Sequence, residues 1–83
     1  MKTLKETLQQ MADALSEEVQ QTLLVIRENE ELKGFCSSED ITKYDEGRDG
    51  LPICLTLGLV ENTDMDIIRF TAIGNNLVEF CSC

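Results

Sequence analysis

The sequence predicts an α+β domain: a long N-terminal helix packed on a three-stranded antiparallel β-meander. Three observations lead there. Apolar residues recur at steps of three and four through the first third of the chain. Leu51, Ile53, Leu55, Leu57 and Leu59 alternate with smaller residues, the period of a strand. Clusters of Gly, Asn and Asp then cut the second half into short segments. At 83 residues the chain is sized for a single domain, residues 1–83.

The helix is expected over residues 3–33. Leu4, Leu8, Met11, Leu15, Val19, Leu23 and Ile26 fall on one stripe, and no Gly or Pro interrupts them. Gly34 follows as a left-handed cap. Thirty helical residues span about 45 Å, whereas strands of eight to ten residues span about 30 Å. The helix therefore breaks or overhangs its sheet. Ser16-Glu17-Glu18 is the expected break, since Ser caps and Glu suits a first turn. Leu23-Leu24-Val25-Ile26 is apolar all the way round, so this turn must be covered on more than one side. That makes Leu23, Leu24 and Ile26 the expected self-association residues, with a second copy of the chain as the cover.

Residues 34–50 form an acidic loop region. Ser37-Ser38-Glu39-Asp40 has the form of a helix start, with one or two turns to Glu46 or an edge strand in its place. Asp45-Glu46-Gly47-Arg48-Asp49-Gly50 reads as turn chemistry. The meander occupies residues 51–83. Its first strand runs from Leu51 to Val60 with Pro52 at the start, and Glu61 to Asp64 form a hairpin loop. Met65 to Ile73 give the second strand, Gly74-Asn75-Asn76 a tight turn, and Leu77 to Cys83 the third strand.

Composition narrows function. Seven basic residues against sixteen acidic ones give a net charge of -9, which opposes direct binding to nucleic acid or to an anionic membrane. There is no histidine. The longest mostly apolar run, Leu51 to Val60, is half of the roughly 20 residues a spanning helix needs. Met1 to Glu6 has no apolar signal-peptide core. The four cysteines show no C-x-x-C pair. Reduced, mostly buried thiols in a cytoplasmic protein are expected.

Motifs for chemistry are weak. Asp45-x-Gly47-x-Asp49-Gly50 begins like a calcium loop, but Gly47 and Thr56 stand where oxygen ligands belong. Asn62-x-Asp64-x-Asp66 has Ile67 where the loop needs glycine. Cys81-x-Cys83 places two sulfurs on one face of a strand, and Cys36 and Cys54 would have to converge on them to complete a zinc site. No nucleophile–base pair, P-loop or dinucleotide fingerprint is present, so no catalytic residue, cofactor or metal site is assigned and a non-enzymatic role is expected.

The strongest signal is where the acids lie. Residues 28–49 hold eight of the sixteen: Glu28, Glu30, Glu31, Glu39, Asp40, Asp45, Glu46 and Asp49, against three bases. A solvated face that keeps a small protein soluble is the simplest account. The functional account makes these eight residues the docking site for a basic protein surface, such as that of a nucleic-acid-binding protein. The expected function is an acidic interaction module that blocks or regulates such a partner, in the manner of a phage-type inhibitor, a nucleic-acid mimic, an immunity protein or an antitoxin. The alternatives are a cysteine-based metal or redox protein and a small homodimeric structural protein.

Overall fold

Two helices, rather than one, fill the N-terminal third of the computed structural model, which describes residues 3–63 and 65–81. Helix α1 spans Leu4–Ala14 and α2 spans Glu17–Lys33. Thr3 caps α1, its hydroxyl accepting from the Glu6 N–H at 3.1 Å. Leu15 and Ser16 are extended, so the chain breaks where the sequence expects it. Ser16 is the N-cap residue of α2, but its hydroxyl makes no cap hydrogen bond. Gln20 holds the break instead: its side-chain amide donates to the Ala12 carbonyl at 2.8 Å and the Leu15 carbonyl at 3.1 Å. These are carbonyls that a helix end leaves without an intrahelical partner. Gly34 ends α2 at φ +83°, as expected of its cap.

A two-residue strand, β1 (Cys36–Ser37), leads into α3 (Ser38–Thr42). The helix start expected here is present as a reciprocal cap: Ser37 Oγ accepts from the Asp40 N–H, and the Asp40 carboxylate accepts from the Ser37 N–H at 3.0 Å. Helix α4 (Asp45–Leu57) follows, then β2 (Val60–Asn62), β3 (Ile67–Phe70) and α5 (Ala72–Val78).

The fold is α+β with a three-stranded antiparallel sheet, but the strands are partly different segments. The order is β1-β3-β2, with Cys36 opposite Ile68 and Val60 opposite Phe70. The β2–β3 hairpin lies within the expected meander, but Glu61 and Asn62 belong to β2 rather than to its loop, Ala72 and Ile73 belong to α5 rather than to the second strand, and β1 supplies the third strand from before α3. Residues 51–57 are the last turns of α4. Gly47, Gly50, Leu51 and Cys54 recur at helical spacing and form its buried face. The expected turn at 45–50 is the start of the same helix, and Pro52 sits inside it. Gly74, Asn75 and Asn76 lie within α5, not in a turn, and Leu77 and Val78 are helical rather than strand. Cys83 lies outside the described residues.

Helix α2 is the centre of the packing, lying against α3, α4, α5 and β1, while α1 lies against α5. The core joins Val19, Leu23 and Ile26 of α2 to Ile41, Leu51, Cys54, Ile68, Leu77 and Val78. Leu23 and Ile26 have no exposed surface. Leu24 and Val25 are half-buried against the same core. The all-round apolar turn is thus covered by its own chain, and Leu23 and Ile26 present nothing to a second copy. The expected overhang also disappears, because the helix breaks. Each large apolar side chain buried here contributes roughly 1.5–3 kcal/mol. Among the described residues no helix is long and apolar enough to cross a membrane.

Candidate functional site

The eight expected docking carboxylates fall into separate groups. A helix advances 100° per residue, so Glu28 and Glu30 leave α2 on opposite flanks. Glu28 faces α4, where it lines a hollow of about 280 Å³ with Gln21, Val25, Tyr44, Glu46 and Gly47. Glu30 faces the sheet, beside Phe35, Met65 and Arg69. Glu31 pairs with Arg27 at 3.4 Å along the exposed side of the helix. The single patch anticipated from sequence is therefore divided by α2 itself.

Three of the eight are already engaged. Besides Glu31, Asp45 pairs with Arg48 on the surface of α4. Asp40 is structural: Lys33 reaches its carboxylate at 2.7 Å, and Ser37 donates to it from both N–H and hydroxyl. The Lys33 hydrogen bond, with those from Ser37, lowers its pKa to about 2. Glu28, Glu30, Glu39, Glu46 and Asp49 remain, and none of them forms an ion pair among the described residues. Glu46 and Asp49 sit on the first two turns of α4, on its exposed side.

A second feature was not legible in the sequence. Met11, Ala14, Leu15, Leu57, Leu59, Ile73 and Leu77 line an apolar hollow of about 290 Å³ where α1, α4 and α5 meet. Met11 (44%), Leu57 (53%) and Ile73 (51%) are substantially exposed around it. A strand from Leu51 to Val60 would place Leu57 on a sheet face, away from α1 and α5. The helical period Gly47, Gly50, Leu51, Cys54 was the signal that would have revealed it.

The thiols point to packing. Cys36, Cys54 and Cys81 are buried, in β1, in α4 and after α5. Burial pushes the Cys36 thiol up to about 11, reinforced by the nearby Asp40 and Glu30 carboxylates. Burial, with Cys81 alongside, pushes Cys54 to about 11 as well. A thiol held protonated is a poor nucleophile and a poor metal ligand. Among the described residues no three Cys, Asp or Glu side chains converge as metal donors. The second loop considered for calcium is the β2–β3 turn, where Asp66 takes a left-handed conformation at φ +58°.

Comparison with protein-family models, with curated proteins and with solved structures found no match.

Proposed function

We propose that the protein is a non-enzymatic acidic interaction module that binds, and thereby blocks or regulates, a basic partner protein in the cytoplasm. The observation that supports this reading is the set of five carboxylates, Glu28, Glu30, Glu39, Glu46 and Asp49, that form no ion pair among the described residues of a chain of net charge -9. Such carboxylates, four of them exposed and Glu30 half-buried, steer a cationic surface into contact and discriminate against anionic ones.

The charge of α4 supports the same reading. Helices α3 and α4 are joined by two residues, Lys43 and Tyr44, and a β-hairpin follows. Helix α4 carries Asp45, Glu46 and Asp49 against Arg48 alone, and Arg48 is paired with Asp45. A helix so charged is repelled by phosphate. It is suited to a surface that itself binds phosphate, which favours a nucleic-acid-binding protein as the partner and an inhibitor or nucleic-acid mimic as the role.

Capture of partners from a cell lysate on the immobilised protein, eluted in salt steps, tests this. The retained protein should be basic and should elute early. Its affinity should fall about tenfold or more when Glu28, Glu30 and Glu46 become Gln and Asp49 becomes Asn. An affinity insensitive both to salt and to these substitutions would refute the reading.

A further inference from the structure

We propose that the course of α4, bordered by α2 at its Glu46 end and by α1 and α5 at its Leu57 end, is a groove for a basic amphipathic helix, which seats its apolar side chains in the hollow beside Leu57 and directs its cations at Glu46 and Glu28. This rests on the reading of the partner as a basic protein, and adds where it docks and in what form.

The course of α4 defines the groove. Thr22 Oγ1 lies 3.4 Å from the Glu46 carbonyl. One turn further along α4, Gly50 packs against Glu18 and Thr22. At its end, Leu57 shares the apolar hollow with Met11 and Leu15. Successive turns of α4 therefore step backwards along α2 and then α1. Gly50 lets the two backbones close, since a Cβ there would strike the Glu18 carbonyl and the Thr22 hydroxyl. At steps of seven and four, Glu46, Ile53 and Leu57 fall on one side of α4.

The two ends differ in chemistry. At one end the hollow of about 290 Å³ is apolar, and Leu57 and Ile73 stand about half exposed at its mouth. At the other, the hollow of about 280 Å³ is walled by Glu28 and Glu46 beside Tyr44. Ile53, 42% exposed, and Asp49 lie between. From Glu46 to Leu57 the rise is about 16 Å, or roughly three helical turns. An occupant must present apolar groups at one end and cations at the other over that length. An amphipathic helix does so with side chains spaced one turn apart.

Charge selects this occupant over a second copy of the chain. Seven basic residues are set against sixteen acidic ones, and Arg27, Lys33 and Arg48 are already paired with carboxylates. Two copies of net charge -9 repel, whereas a cationic helix is attracted.

Two synthetic peptides of identical Leu and Lys content, about 18 residues or five turns long, provide the probe. One repeats Leu at steps of three and four; the other is its scramble. Binding is followed at low salt by fluorescence anisotropy and by amide chemical shifts of the isotopically labelled full chain. The amphipathic peptide should bind about tenfold more tightly than the scramble. Its shifts should concentrate at residues 46–57, 11–28 and 73. L57S/I73S, at two half-exposed positions, should abolish the difference between the peptides while leaving the scramble's weak binding unchanged. Equal binding of both peptides, or shifts centred on the sheet side near Glu30 and Arg69, would overturn the groove and leave the acidic-module reading standing. No binding of either peptide would overturn both. If L57S/I73S loses its cooperative melt, the shift map of the unmutated chain decides alone.

Discussion

Asp40 shows how a residue counted as surface charge becomes a structural joint. A single carboxylate oxygen accepts from Lys33 Nζ at 2.7 Å, from the Ser37 N–H at 3.0 Å and from the Ser37 hydroxyl at 3.0 Å. It ties the end of α2 to the start of α3 across β1. Because these donors favour the ionised form, its pKa is about 2 in the folded chain, below its ordinary value of 3.8. A group lowered on folding stabilises the fold above its unfolded pKa, and that contribution is lost as pH falls through the folded pKa. Stability should therefore decline between about pH 4 and pH 2, and D40N should flatten this part of the profile. D40N should also remove about 1–2 kcal/mol at neutral pH, measured by urea unfolding. Cys36 and Cys54 act at the other extreme. Raised from 9.0 to about 11, their thiols stay protonated in the fold while the unfolded chain ionises. Their contribution is present below pH 9 and is lost as pH rises from about 9 to 11. C54A should lessen that alkaline loss, and thiol-reagent labelling of Cys54 should follow unfolding rather than precede it.

At the scale of the element, α4 carries the main lesson about sequence. Leu51, Ile53, Leu55, Leu57 and Leu59 alternate like a strand, yet residues 51–57 are helical. The alternation reports hydrophobicity alone. Position in the fold follows the smaller residues: Gly47, Gly50 and Cys54 share the buried face with Leu51, leaving Ile53, Leu55 and Leu57 outside. Glycines taken as turn signals are contact points. A Cβ at Gly47 would meet the Ile41 carbonyl, and one at Gly50 the Glu18 carbonyl. G50A should therefore destabilise the fold by about 2–3 kcal/mol, although alanine is the better helix former. A melt unchanged from that of the parent chain would mean the helices are not so closely apposed. What the sequence made legible were features determined by local chemistry: the break at Ser16, the cap at Gly34, the start of α3 and the strand β3. The strand β1 is only two residues long, and its place beside β3 is fixed by tertiary pairing that no local pattern announces. The candidate site follows the same rule. Its charged residues were identified from sequence, but their division around α2 depends on packing, and the apolar hollow depends wholly on α4 being helical.

Over the whole molecule, the acidic balance sets stability against recognition. Glu31, Asp40 and Asp45 are paired, so their charges are partly compensated within the chain. Glu28 lies one turn from Glu31 and shares a hollow with Glu46, so each of these carboxylates has an acidic neighbour. Like charges one turn apart on a helix destabilise it by a few tenths of a kcal/mol, roughly 0.2–0.5 per pair. Carboxylates near the C-terminal end of α2 also oppose its dipole, as Glu28 and Glu30 do. Repulsion of this kind is screened within about 10 Å at 0.1 M salt. The melting temperature should therefore rise as salt is added at neutral pH, before any specific ion effect enters. E28Q/E30Q, which keeps the favourable first-turn Glu46 of α4, should recover part of that rise in dilute buffer and show a smaller further increase with salt. Calorimetry across a sodium chloride series, on parent chain and variant, measures both quantities. A variant that melts lower than its parent in dilute buffer would mean that these carboxylates stabilise the fold, removing the argument that they are kept for a cationic partner.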